Sequence, residues 1–321
     1  MKMAPRKIYW TIFLCIVVLS ACDKISQPLQ SKIINSTLPN TPPNFRDSSA
    51  TSGPSSYKNY KVLVEDCMGH LCSNCPPAVF VGDSLIAPTA TYPGQVIVME
   101  ENMGDFAKAG TVAGYPPYAF AVDYTCLAGN TWHNQFQSIE ALGYPAGLID
   151  RRFGPANIYY LNWDNTINDT LIPNNSTPSI EINIHDSCWT LQKIIGVKIQ
   201  VTDVRPLSGN YSLEVVIIED SIVDWQKDGL KASGYDSLFL HRNVLRGAFG
   251  NNMGGLPFGS AIPPSVTSTS DSSWISYQTY DFTKGENGRA AGWNMERCRI
   301  VAFVFNEATY QVVQAEMIGV E

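Results

Sequence analysis

Three things are scarce in this chain, and each scarcity narrows its chemistry. Positive charge is the first. Of 321 residues 22 are Lys or Arg against 29 Asp or Glu, a net charge of −7, and no Lys/Arg cluster follows the opening residues. Nucleic acid is therefore not an expected partner, because phosphate binding needs a basic patch or stripe. Long apolar runs are the second. Past residue 21 no stretch is apolar and long enough to cross a bilayer, which takes about 20 such residues. The third is metal and haem patterning. There is no C-x-x-C-H, which excludes covalent haem on pattern. The cysteines do not form the two separated pairs that zinc sites draw on, and His185 and His241 stand alone in sequence. No metal and no cofactor is expected.

What is present begins at the N-terminus. Residues 1–10, MKMAPRKIYW, carry three cations and no acid. The apolar run TIFLCIVVL and then LSAC follow. This is the layout of a secretory signal, ending in a cysteine as a bacterial lipobox does. Residues 1–21 are thus expected to be a signal peptide and Cys22 the lipidated mature N-terminus. Residues 22–58 are dominated by Ser, Thr, Pro, Asn and Gly without periodicity and cannot bury enough apolar surface to fold. As a coil this tether should reach about 30 Å. The expected location is the cell envelope, anchored to the membrane through lipid, with the outer membrane favoured and its face left open. Of eight cysteines, Cys15 leaves with the signal and Cys22 is lipidated. The remaining six, in an oxidising compartment, favour disulfides.

The segment DCMGHLCSNCPPA, residues 66–78, admits three readings: a redox centre, a metal site or a staple. It follows the β-branched run NYKVLVED, which reads as a buried strand. It leads into a helix expected from about Cys75 to Ile86, because proline suits a first helical turn. GQVIVMEEN then reads as a second strand, and strand–helix–strand implies a parallel pair with a right-handed crossover. Cys72 would sit at the helix N-terminus, where unpaired N–H groups, the dipole and nearby His70 all favour a thiolate. Asp66 is either an acid exchanging a proton with Cys75 through water or a plain loop cap. As a metal site, Cys67, His70, Cys72 and Cys75 would be the ligands, but Cys67 should lie on a strand, its side chain turned away from its neighbours. In ALGYPAGLIDRR, residues 141–152, a glycine and an aromatic precede Pro145 and a short strand, a setting for a cis proline. Asn130–Glu140 reads as helical, and Trp163, Ile167 and Leu171 share one face of a closing helix.

These residues carry a resemblance. VLVEDCMGHLCSNCP, the β-α-β order and GYPAGLIDR resemble a thioredoxin-like domain. More narrowly, E-D-x-x-G-H-x-C-x-N-C-P, DYTCLAGN, HRNVLRGAFG and IVAFVFNEATYQVVQAEMIGV resemble the outer membrane protein twenty-eight-related lipoproteins of Bacteroidetes, over nearly the whole mature body. The resemblance implies a thioredoxin fold joined to a β-sandwich, with Cys72 the attacking thiol, Cys75 the resolving thiol, Pro145 the cis proline facing them and Tyr144 shaping a substrate groove. This chain departs in having Leu71, not tryptophan, before Cys72, and in carrying Cys67 and Cys126. An insertion ahead of Pro145 is expected to cover or rebuild the groove.

From Pro178 the pattern becomes a series of strands: SIEINIHD, IIGVKIQVTDV, GNYSLEVVIIED, SWISYQTYDF, CRIVAFVFNE and YQVVQAEMIGV, separated by turn signals. LRGAFGNNMGGLPFGSAIPPS between them reads as a long loop. The expected fold class is α/β plus β: a thioredoxin-like domain over 59–173, then an antiparallel sandwich over 178–321, Ig-like or jelly-roll in connectivity. Cys188 and Cys298 are expected to pair within the sandwich, and Cys67 and Cys126 to pin the insertion to the central sheet. Two functions compete. One is a thiol–disulfide oxidoreductase acting on envelope proteins with thiols or disulfides. The other is a binding or adhesion lipoprotein in which Cys72–Cys75 is a fixed staple, since fold alone does not give function.

Overall fold

The computed structural model describes residues 59–135, 143–152, 159–175, 177–250, 258–283 and 294–320. The expected signal peptide, Cys22 and the tether lie outside them. Among the described residues no helix is long and apolar enough to cross a membrane.

The β-branched run after Tyr60 forms β1 (Val62–Met68), and VIVMEEN forms β2 (Val96–Asn102). They pair in parallel, Val62 opposite Val96 through Met68 opposite Asn102. Every residue of both strands is buried, as expected where both faces of a parallel pair are covered. Helix α1 (Pro76–Ile86) connects them. Side chains alternate across the sheet. Val62, Val64, Val96 and Val98 pack with Ala78 and Leu85 of α1 on one face, where Trp163, Ile167 and Leu171 complete the cluster. Leu63, Cys67, Ile97 and Met99 pack on the other, with Ala128 and Trp132 of α2 (Leu127–Gln135). The helix expected over Asn130–Glu140 thus begins three residues earlier, and the expected stretch past Gln135 lies outside the described residues. The short strand β3 (Ala146–Ile149) runs antiparallel to β1.

The second half is built of antiparallel sheets. β4 (Ile180–Trp189), β5 (Ile194–Asp203) and β11 (Ser273–Asp281) form one of three strands. It packs on β6 (Tyr211–Glu219) and β12 (Cys298–Asn306) through a core of Ile, Val and Phe side chains. β4 alternates buried and half-buried residues along most of its length, as an outer strand should, whereas all nine residues of β6 are buried. With β9 (Val244–Ala248) and β13 (Val312–Gly319), β6 and β12 continue the first sheet. The hydrogen-bonded order is β13-β12-β6-β9-β2-β1-β3, with β10 (Ser260–Ala261) beside β6. The junction is parallel, Glu100 opposite Val244, and the Glu100 N–H donates to the Asn243 carbonyl at 2.9 Å. One sheet thus crosses the boundary expected near residue 175.

Two elements differ from the sequence reading. The expected loop 245–265 contains most of a buried strand, β9, whose backbone pairs with β6 on one side and β2 on the other. A hairpin of β7 (Ile222–Lys227) and β8 (Tyr235–His241) forms a separate two-stranded sheet.

Candidate functional site around Cys72 and Cys75

Cys72 and Cys75 are joined by a disulfide, with Cα atoms 5.5 Å apart. Their loop is a tight turn: the Cys72 N–H donates to the Gly69 carbonyl at 2.9 Å. A Cβ on Gly69 would come within 2.5 Å of the Phe106 backbone, so only glycine lets the turn close against residue 106. Cys75 is the N-cap of α1, and Pro76 and Pro77 fill the first two helical positions. This qualifies the expected thiolate support. Both prolines lack an N–H, and the next two donors, from Ala78 and Val79, turn to the Cys75 carbonyl at 2.9 and 3.5 Å. The dipole remains, but few free N–H groups remain at this helix end.

His70 does not act as the expected cation. It is fully buried, and burial pushes its pKa down from the usual imidazole value, so it is neutral near pH 7. Its Nε2 lies 3.0 Å from the Lys108 carbonyl, and its ring packs edge-on against Phe120 and Tyr124. The insertion ahead of Pro145 holds it there.

Asp66 lies inside β1, not at its end, opposite Glu100 on β2 and Gly147 on β3. By alternation it shares the face of Val64 and Met68, and Met68 packs against Cys72, Cys75 and Val79. Its carboxyl therefore points to the side of the sheet that carries the disulfide. Burial first, and the negative charge of Glu100 second, push its pKa well above the ordinary carboxylate range. Its Oδ1 is buried without a hydrogen-bond partner. Glu100 is held instead by Asn102 Nδ2 at 2.6 Å and by His241 Nδ1 at 3.4 Å. Sequence reasoning missed Glu100, and gave His241 only a surface or packing role; it does pack, against Tyr124 and Phe239, but also meets Glu100. The signal was in the sequence: an acid within a strand covered on both faces has to meet a partner.

Tyr144–Pro145 is a cis peptide. It faces the loop across a cleft of about 500 Å³ lined by Ser73, Asn74, Pro77, Tyr144, Pro145 and, from elsewhere, Tyr159, Tyr160 and Leu230. The Tyr144 hydroxyl lies 3.1 Å from His133 Nδ1. The cysteines lie behind Ser73 and Asn74, Cys72 only 4% exposed and Cys75 fully buried.

What covers them is the β7–β8 hairpin. The Lys227 N–H donates to the His70 carbonyl and the Gly229 N–H to the Ser73 carbonyl, both at 2.8 Å. The Gln226 side chain donates to the Cys72 carbonyl at 2.8 Å and to the Gly69 carbonyl at 3.3 Å. Phe239 packs against Met68, Cys72, Cys75 and Val79. The hairpin, more than the insertion, rebuilds the groove.

The other expected disulfides are corrected. Cys67, Cys126, Cys188 and Cys298 stand as thiols. Cys67 and Cys126 do enter one core, but each sulfur has another contact. Cys67 Sγ approaches Glu101 Oε2 at 3.9 Å, and Cys126 Sγ accepts the Gly129 N–H at 3.3 Å at the start of α2. Apolar packing around Trp132 anchors the insertion instead. Cys188 and Cys298 share the sandwich core, and Cys298 Sγ donates to the Asn294 carbonyl at 3.3 Å. Cys67 also packs on the sheet face opposite the disulfide, which separates it from the other candidate metal ligands. Among the described residues no group of three His, Cys, Asp or Glu side chains is placed to hold a metal ion.

The family model described as outer membrane protein Omp28 matches residues 133–321. No curated protein matches the sequence. Among solved structures, HBP35 of Porphyromonas gingivalis superposes with a TM-score of 0.59 at 12% identity, over 83% of this chain and 77% of that one. That likeness is one of fold. A domain of the outer membrane lipoprotein Omp28 from the same organism aligns at 16% identity over 45% of this chain and 89% of that one, with a TM-score of 0.28.

Proposed function

The chain belongs to the outer membrane protein Omp28 family, and from that premise we propose that it is an outer-membrane lipoprotein, held through lipid on Cys22, whose thioredoxin-like body exchanges thiols and disulfides with other envelope proteins. The observation that carries the proposal is the Cys72–Cys75 disulfide at the N-terminus of α1, on a parallel β1–β2 unit. A C-x-x-C pair at a helix start is where reactive thiols are found.

In the reduced form Cys72 attacks a substrate disulfide. A mixed disulfide forms and one substrate thiol leaves. Cys75 then attacks the Cys72 sulfur, releasing the second substrate thiol and restoring the protein disulfide. Two electrons pass to the substrate. Asp66 is the residue proposed to take the Cys75 proton, through water, because it lies on the disulfide's face of the sheet with one carboxylate oxygen unpartnered, and burial makes its carboxylate a stronger base than an exposed one. Pro145 and Tyr144 form the wall opposite, along which a substrate segment would lie.

The weak support for a thiolate, with two prolines opening the helix and a neutral His70, argues for a reducing couple. The expected potential is near that of thioredoxin, about −270 mV, and far from about −120 mV. Equilibration of the full chain against a known dithiol couple, with a Cys75→Ser variant to trap mixed disulfides in the envelope, checks this.

One observation favours the second reading, a binding lipoprotein with a fixed staple: both sulfurs are covered by the hairpin. A potential below about −300 mV, with no turnover on protein disulfides and no trapped partner, would assign that reading instead.

A further inference from the structure

We infer that Gln226 is a positioning residue for the Cys72–Cys75 pair: its side-chain amide latches the β7–β8 hairpin over the disulfide, so that thiol attack waits for this latch to open. The inference rests on the thiol–disulfide reading above and adds to it the step that controls access.

Gln226 is fully buried. Its Nε2 donates to the Cys72 and Gly69 carbonyls, the two that shape the turn, and also lies 3.0 Å from its own neighbour's carbonyl at Lys227. Gly69 and Cys72 are already bonded to each other through the Cys72 N–H. One side chain, more than 150 residues away in sequence, thus ties the loop to the hairpin. The backbone bonds from Lys227 and Gly229 flank it, and Phe239 of the paired strand closes over the sulfurs. No hydrogen-bonded strand pairing joins β7–β8 to either larger sheet among the described residues. The hairpin can therefore lift without breaking a ladder, though lifting its tip also parts Trp225 from Phe120 and Tyr235 from Tyr115, and lifting all of it costs the Tyr124 hydroxyl its 2.8 Å bond to Asp224.

Attack on a disulfide needs a thiolate to reach one sulfur along the S–S axis. Cys72 at 4% exposure and Cys75 at zero offer no such approach. Opening must come first, and the population of the open state sets the rate at low thiol concentration. Neutral hydrogen bonds each contribute modestly, and two lost together should change that population by about tenfold.

The test is reduction of the full chain by a small dithiol. The reductant gives up two electrons and two hydrogens, becomes a cyclic disulfide and leaves Cys72 and Cys75 as thiols. In the wild type the rate should level off at high dithiol concentration, where opening limits it. Gln226→Leu keeps the bulk and removes the donor. It is expected to be reduced about tenfold faster at low dithiol concentration, with faster amide exchange at Lys227 and Gly229 and unchanged exchange in β6. An unchanged rate would overturn the latch. A faster rate with equally faster exchange in β6 would also overturn it, because that is general loosening. Should Gln226→Leu fail to fold, Gln226→Met, which keeps the length of the side chain and removes the donor, must show the same local acceleration or the idea falls. The redox reading fails separately. If the latch behaves as stated but the couple lies below about −300 mV and turns over no protein disulfide, the hairpin covers a staple.

Discussion

At the scale of single residues, Asp66 joins stability to chemistry. A carboxyl whose pKa is raised in the folded state binds a proton there that the unfolded chain has already released. Folding stability then falls as pH rises from the ordinary carboxylate value towards the folded one. Asp66→Asn removes that loss. The variant should melt higher than wild type at pH 8, and the gain should shrink towards pH 4, where the unfolded carboxyl is also protonated. If Asp66 exchanges the Cys75 proton, the same change should slow disulfide turnover about a hundredfold or more. A variant that is more stable at high pH with full turnover would leave Asp66 a structural acid. Cys298 makes a contrasting case. Burial, with Glu219 nearby, pushes its thiol up to about 12. At pH 8 only about one molecule in ten thousand would hold the thiolate. Alkylation of folded protein by iodoacetamide should therefore spare Cys298, and mass spectrometry of digested samples would detect a failure.

At the scale of elements, what was legible in the sequence is what had a period or a punctuating residue. β1, β2 and α1 followed from β-branched runs and a Pro-Pro helix start. Trp163, Ile167 and Leu171 enter one core as their spacing requires. What escaped was set by tertiary contact. β7 reads IVDWQK and β8 YDSLFLH, and their alternation is blurred because Val223, Leu238 and Leu240 stay exposed. Nothing local announces that this hairpin lies over a loop 150 residues earlier. β9 escaped for the opposite reason: two of its five residues, in LRGAFG, are Gly and Ala, which suggests a turn. The disulfides failed because an even count of cysteines in an oxidising compartment describes a population, while each sulfur answers to its own neighbours. β3 shows how tightly one element can depend on another. A Cβ at Gly147 would meet the Trp163 ring at 2.3 Å, and Gly147 sits opposite Asp66 in the ladder. Gly147→Ala should cost about 3 kcal/mol by overpacking and lower the melting temperature by about 10 °C. Because β3 follows Pro145, the same variant should also disturb the cleft wall. Unchanged melting would mean that the indole moves aside.

At the scale of the molecule, the question is whether the two halves are separate bodies. The sheet argues that they act as one. β9 of the second half lies between β6 and β2. The Val312 N–H donates to the Asp150 carbonyl at 2.8 Å, and the Lys61 N–H to the Gln314 side chain at 2.9 Å. Leu63, Met99 and Trp132 share a core with Val216, Phe303 and Ala315. Arg151, bonded through Nε to both oxygens of Glu65 at 2.9 and 2.8 Å, stacks on Phe303 and Phe305 of β12. Cutting near residue 176 would expose that core and leave β2 and β9 as open edges, which invite aggregation. Unfolding of the full chain should accordingly be a single transition, with tryptophan fluorescence and far-ultraviolet circular dichroism coinciding. Fragments 59–175 and 177–321 should each be poorly soluble alone. Two resolved transitions, or a well-folded 177–321 fragment, would show that the halves stand by themselves. In that case the hairpin would reach the C-x-x-C loop from an independent domain, and its hold on Cys72 would depend on how the two domains dock.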